Sequence, residues 1–289
     1  MNNNEWPLVF FTLLSQISVG ILIGGLALWL ATKNSVSPAM DILKKVFIIS
    51  AFCLMGIALL TSFLHLASPL HSIYALSNAG ASWLSREIIL ASLYLFTLAI
   101  CFTSLRFNVP HSNLFNQLYL ASLIIGLVLI WAISRVYMIP TVPLWNTPAT
   151  PVAFFSTTLL LGGSMVLLMI SVLAGKHVQL PEITKLQSVM FYLVSFAVFI
   201  TLLNMLLIQP DISAATGSFP LPHVSQWWKT ARILFLLAGF SGLTYWFTYQ
   251  LPSPGGSTSW LIYLSAGCLL LAEIAGKYIF YASYYRVGV

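Results

Sequence analysis

Between residues 7 and 283 the chain divides into eight long apolar runs, at approximately 7–31, 46–67, 87–105, 114–138, 152–175, 187–208, 229–250 and 259–283, parted by polar or proline-bearing breaks. A hydrocarbon core roughly 30 Å thick is crossed by about 20 residues of α-helix. Only a helix or a closed barrel satisfies its own backbone N–H and C=O groups where there is no water. Each run is long enough to cross as a helix. None alternates as a barrel strand does, and apolar residues cover all sides, as on helices that face lipid and one another. Charged residues are 6% of the 289 and hydrophobic ones 59%, against roughly 25% charged in a soluble domain. The sequence therefore predicts an all-α integral membrane protein, a bundle of eight transmembrane helices forming a single polytopic membrane domain over residues 1–289.

Pro38, Pro69, Pro110, Pro140, Pro181, Pro210 and Pro252 fall where helices are expected to stop, since proline lacks the N–H and biases its predecessor away from the helix. Trp6, Trp83, Trp145, Trp227, Trp228 and Trp260 sit at run ends, where an amphipathic ring prefers the interface. Gly20, Gly24, Gly162 and Gly163 are expected at close helix contacts. The first residues have no basic region and lead into a run too long for a signal-peptide core, so that run is expected to remain as a span. Cys53, Cys101 and Cys268 lie far apart and offer neither a disulfide framework nor a zinc or iron–sulfur cluster site. The net charge of +6 comes without a basic stripe, which argues against nucleic acid and for membrane topology. Lys33, Lys44, Lys45, Arg106, Lys176 and Lys185 occupy the first, third and fifth connections. By the positive-inside rule that side is expected to be cytoplasmic, with both termini outside.

Ionisable residues inside the spans cost on the order of 2.5–3.5 kcal/mol each on insertion scales and call for a reason. His65 ends the second run, Arg86 and Glu87 open the third, Arg135 ends the fourth, Lys229 and Arg232 open the seventh, and Glu273 and Lys277 lie in the last half of the eighth. Because helix direction alternates, all of them fall toward the same, outer face. Some have plain structural readings. Lys229 and Arg232 are placed to snorkel to headgroups, Arg135 to anchor a helix end, and Glu273 and Lys277, spaced i, i+4, to neutralise each other. Arg86 and Glu87 are adjacent, diverge, and need partners on other helices. His65 has the side chain that exchanges protons near neutrality, and a carboxylate follows it on the next helix at the same depth. The remaining histidines fall in loops, so a haem held by two histidines inside the bundle is not expected. No phosphate loop, nucleophile elbow or His-Glu-x-x-His metal motif occurs.

Several of these residues stand in recognisable motifs. The run Leu64-His65-Leu66-Ala67-Ser68-Pro69, then Leu76-Ser77-Asn78 and Gly80-Ala81-Ser82-Trp83-Leu84-Ser85-Arg86-Glu87-Ile88, closely resembles the membrane anchor subunit of dimethyl sulfoxide reductase. So do Glu5-Trp6-Pro7-Leu8, Pro140-Thr141-Val142-Pro143-Leu144-Trp145, and Ala272-Glu273-Ile274-Ala275-Gly276-Lys277, and the likeness runs end to end. Ala67 stands where the family often has glycine. The resemblance implies a multi-pass protein of the bacterial inner membrane. It also implies that the protein holds an iron–sulfur electron-transfer subunit and a molybdopterin catalytic subunit on the bilayer and oxidises menaquinol for them in anaerobic respiration. It places quinol binding on His65, with Glu87 matching the carboxylate that follows; Ser68 and Arg86, next to them in the sequence, are expected as further binding residues.

On that reading a menaquinol head-group is expected between the outer ends of the second, third and eighth helices. His65 takes a proton, Glu87 relays it, and Glu273 and Lys277 complete the binding site. With no haem, iron–sulfur cluster or metal expected in this chain, the electrons must pass directly to a docked partner. A secondary transporter fits less well, since its charges belong at the midplane of two matching halves. A purely structural anchor, and the anchor of a related polysulfide- or nitrite-type complex, remain alternatives.

Overall fold

The structure, a computed structural model, describes residues 6–31, 38–65, 78–106, 113–174, 181–207, 225–250 and 260–286. Eight helices are long and apolar enough to span a membrane. They are α1 (Trp6–Ala31), α2 (Pro38–His65), α3 (Trp83–Arg106), α4 (Asn113–Tyr137), α5 (Ala149–Ala174), α6 (Pro181–Leu207), α7 (Gln226–Tyr245) and α8 (Trp260–Ala282). A π-helical turn, Trp246–Gln250, prolongs α7. There is no strand among the described residues.

The helices outrun the apolar stretches at their N-terminal ends. α2 begins at Pro38 rather than near 46, and α6 at Pro181 rather than near 187. Both prolines were expected to stop helices. Each instead occupies a first helical position, where its missing N–H has no intrahelical partner to lose and its fixed φ suits the helix. Asp41 and Glu182 follow within the first turn, where the helix dipole favours a carboxylate. Lys44, Lys45 and Lys185, expected in polar loops, are therefore helical, and Lys44 pairs with Asp41 at 3.5 Å. Hydropathy marks what the lipid tails touch, whereas the helix continues into the headgroup layer.

α1 is the hub. Of its most apolar stretch 78% is buried within the protein, against 22% for α7. α1 packs on α2 and α4 to one side and on α5, α6 and α8 to the other, while α3 closes against α2 and α4, and α7 lies outermost on α8. At the crossing of α1 and α5 the backbones touch. A Cβ built on Gly20 would lie 2.5 Å from the Cα of Gly162, and one on Gly162 would lie 2.6 Å from the carbonyl carbon of Gly20. Lipid tails supply no hydrophobic drive between helices, so contacts this close carry the association through dispersion.

Polar ties reinforce the hub. Gln16 Nε2 donates to the Phe154 carbonyl at 2.8 Å. Ser18 Oγ donates to the Ala51 carbonyl at 2.8 Å. That leaves the Tyr94 hydroxyl as the donor in its 3.1 Å contact with Ser18. The Tyr119 hydroxyl of α4 donates to the Leu22 carbonyl at 2.5 Å, so α2, α3, α4 and α5 are all hydrogen-bonded to α1, each bond being worth about 0.6 kcal/mol on average inside a bilayer.

Gly162→Leu is expected to force α1 and α5 apart at a cost of about 1–3 kcal/mol, read as a lowered Tm and yield in detergent. Gly56 and Gly267 have nothing within 4 Å of an added Cβ. Alanine at either should leave Tm unchanged or raise it.

Candidate functional site

One end of the bundle gathers the beginnings of α1, α3, α5 and α7 and the ends of α2, α4, α6 and α8. Trp6 lies 6.4 Å from Tyr278, Trp228 stacks on Tyr278 at 4.1 Å, and Arg135 lies 5.3 Å from the Trp83 ring. Arg86, Glu87, Arg135, Arg232, Glu273 and Lys277, among the ionisable residues expected at a common face, lie at this end, in two groups.

The first group is built on the start of α3. A tight turn at Asn78, whose carbonyl accepts from Ala81 and Ser82 N–H at 3.1 and 3.0 Å, leads into the helix. Arg86 folds back over this turn, donating through Nε to the Ala79 carbonyl at 2.9 Å and through Nη2 to the Gly80 carbonyl at 2.7 Å. Its guanidinium also lies 4.5 Å from the Trp83 ring, which Arg135 of α4 approaches as well. Arg86 thus finds its partners in backbone carbonyls of the preceding turn rather than on another helix. Glu87 points away, half-buried, and among the described residues its carboxylate has no hydrogen bond or ion pair. Tyr137, near the end of α4, lies in its vicinity.

Tyr137 belongs to an aromatic wall. Its hydroxyl meets that of Tyr281 at 2.8 Å, joining α4 to α8. Phe280 and Trp145 pack edge-on to it, at 5.3 and 5.5 Å between ring centroids. Trp145, in the turn before α5, donates its indole N–H to the Phe280 carbonyl at 2.8 Å and stacks on the Phe280 ring at 5.0 Å.

The second group lies on the other face of this wall. Glu273 is 1% exposed. Its Oε2 accepts from Thr157 Oγ1 at 2.5 Å, and its Oε1 lies 3.5 Å from Arg232 Nη2. Lys277, one turn on, does not close the expected i, i+4 pair. Thr157 and Arg232 occupy the two carboxylate oxygens, and the Lys277 ammonium sits 3.3 Å from the centroid of the Phe154 ring. Arg232, read as a snorkelling candidate, turns inward, whereas Lys229 is exposed. The inward turn needs Gly276, because a Cβ there would stand 2.7 Å from both Cζ and Nε of Arg232.

These side chains border a cavity of about 240 Å³ between α5, α6, α7 and α8. Three of its lining residues carry buried polar atoms with no hydrogen-bond partner, Arg232 Nε, Asn204 Oδ1 and Thr147 Oγ1. Asn204 is oriented by its amide, which donates to the Ala149 carbonyl at 3.2 Å and so turns Oδ1 elsewhere.

Glu273 and Lys277 are therefore joined with α5 and α7 instead of with the ends of α2 and α3. Of His65 only the helical backbone at the end of α2 is described, and Ser68 lies outside the described residues. Sequence reasoning missed Thr157, Asn204, Tyr137 and Tyr281. Asn204 had a signal, as an amide in an otherwise apolar run. The others had none, because their roles arise from partners more than 100 residues away. No group of three potential metal ligands occurs among the described residues.

Residues 1–282 match the family described as DMSO reductase anchor subunit (DmsC). The protein is 30% identical to the anaerobic dimethyl sulfoxide reductase chain YnfH of Escherichia coli, over 99% of its own length and 97% of that relative's. It is 28% identical to a second anaerobic dimethyl sulfoxide reductase chain of the same organism and 27% to one of Haemophilus influenzae, again over 99% of its length and over 97% and 96% of theirs. This multi-pass membrane protein belongs to the DMSO reductase anchor subunit family.

Proposed function

We propose that the protein anchors a dimethyl sulfoxide reductase-like complex in the bacterial inner membrane and oxidises menaquinol there, passing electrons to a docked iron–sulfur subunit that feeds a molybdopterin catalytic subunit. The ionisable end of the bundle faces the periplasm, and both termini lie on that side. The observation that carries this reading is Glu87. A carboxylate near a membrane helix end, half-buried and without a hydrogen-bonding or ionic partner among the described residues, is expensive to keep unless it handles a ligand or a proton. Its helix, α3, packs against α2, which carries His65 at its outer end. The names of the relatives, all belonging to an anaerobic dimethyl sulfoxide reductase, support the assignment of partners.

Quinol oxidation releases two electrons and two protons. His65 accepts a proton from one quinol hydroxyl, and Glu87 passes protons to the outer surface. Arg86 fixes the turn that sets Glu87 in place, so its role is positional. Ser68 belongs to the same proposed site. The electrons leave to the partner's cluster.

Replacing His65 with alanine is expected to abolish menaquinol-dependent turnover while the complex stays assembled and active with an artificial electron donor. Normal quinol turnover would make the protein a structural anchor alone. Glu87→Gln should lower kcat by about 10²–10⁴-fold, the usual contribution of a positioned proton carrier. Arg86→Lys cannot reach both the Ala79 and Gly80 carbonyls as the guanidinium does. Steady-state kinetics should show its KM for quinol raised more than its kcat is lowered.

A further inference from the structure

We propose that the cavity between α5, α6, α7 and α8 binds a phosphate group through the Lys277 ammonium, the phosphate coming from an anionic phospholipid or from solution. The inference concerns a part of the bundle away from His65 and Glu87 and does not depend on quinol chemistry. A charge imbalance carries it.

Three charged side chains line the cavity, Arg232, Glu273 and Lys277. Two of them balance each other, because the Glu273 carboxylate accepts from Thr157 through Oε2 and lies 3.5 Å from Arg232 Nη2 through Oε1. Lys277 is left over. It is 5% exposed, and among the described residues its ammonium has no hydrogen bond and no ion pair. Its close partner is the Phe154 ring, whose centroid lies 3.3 Å from the ammonium. A ring face offsets only part of what an ammonium loses on leaving water, and its N–H donors call for oxygen acceptors. Arg232 Nε, Asn204 Oδ1 and Thr147 Oγ1 are sealed off, so an occupant of the cavity does not reach them. The Lys277 ammonium is not sealed in this way, and its side chain lines the space.

The occupant that suits Lys277 therefore brings negative charge together with several oxygen acceptors. A water cluster supplies the acceptors without the charge, and a halide supplies the charge on a single atom. A phosphate group supplies both. The volume of about 240 Å³ is many times the roughly 10–15 Å³ that one water molecule needs, so a tetrahedral group of four oxygens fits. Glu273 does not turn it away, since both carboxylate oxygens are engaged and its charge is balanced by Arg232.

The depth suits the phosphate of a lipid. Lys277 stands five residues before the end of α8, roughly 7.5 Å along the helix axis. The cavity extends from there to Leu144 and Thr147 in the turn before α5. Trp145 of the same turn and Trp228 at the start of α7 mark the level of the headgroups. The lysine does not snorkel out to that layer, so the phosphate comes in to the lysine.

The test uses the purified complex, stripped of lipid in detergent and titrated with phosphatidylglycerol, phosphatidylcholine or inorganic phosphate, with native mass spectrometry reading what is retained. A single phosphatidylglycerol is expected to be held more tightly than phosphatidylcholine, whose trimethylammonium group meets the Arg232 and Lys277 cations. Retention of inorganic phosphate instead would support the site and make solution its source. Lys277→Gln should raise the Kd about tenfold, equivalent to roughly 1.4 kcal/mol, and Lys277→Arg should keep most of the affinity. Lys229→Gln, which removes an exposed cation at the same end, should leave it unchanged. The unaltered complex gives a second reading that needs no variant to fold: phosphatidylglycerol carrying a diazirine next to its phosphate should label within residues 149–157 and 273–283 on irradiation. The His65→Ala complex should retain the lipid as well, whether or not turnover is lost, which separates this inference from the proposed catalytic role. Equal affinity in Lys277→Gln and the unaltered complex, an equal loss in Lys229→Gln, no preference over phosphatidylcholine, label confined to other segments, or retention of neither phosphate would overturn the proposal.

Discussion

The contact that everything else depends on is the meeting of two backbones, Gly20 of α1 against Gly162 of α5. In a bilayer, helices gain little by hiding apolar surface from their surroundings, so association rests on how closely they approach and on the few polar bonds that proximity allows. The glycine crossing sets that distance, and Gln16 then reaches the Phe154 carbonyl eight residues along α5 from Gly162. The same stretch of α5 presents Thr157 to Glu273 and the Phe154 ring to Lys277. A packing choice near the middle of the membrane thus fixes the positions of side chains closer to its surface.

At that surface the protein handles charge in two ways. On α3 the cation is absorbed by backbone carbonyls and an aromatic face, which leaves Glu87 unpaired. Between α5, α7 and α8 the carboxylate is enclosed by a hydroxyl and a guanidinium, which leaves Arg232 Nε unpaired.

Much of this architecture was legible in the sequence, because the bilayer imposes one strong rule and hydropathy reads it. The eight spans and the clustering of charge at one end follow directly. Helix starts did not, since Pro38 and Pro181 signal either a stop or a beginning, and only the acidic residue behind each one favours the second. Gly20 and Gly162 were legible as close-packing positions, but nothing local says that they face each other. The pairing of Glu273 was misjudged for a related reason. Lys277 is its neighbour in sequence, and the helix geometry is favourable, yet Thr157 and Arg232 come from other helices and take both oxygens first. Spacing along one helix reveals which partners are available, whereas the outcome is decided by competitors brought in by the fold.

The hub position of α1 also bears on how the protein is made. Its Gln16 amide enters the bilayer long before its acceptor exists, for Phe154 lies 138 residues further along the sequence. At ribosomal speeds of about 5–20 residues per second that is a wait of roughly 7–28 seconds. Until then a buried helix of the finished protein is a lipid-facing one with an unsatisfied amide. A segment made well before α5 is thus among the last to reach its final surroundings, and biogenesis must shelter it, by the insertion machinery or by α2, until the second half arrives.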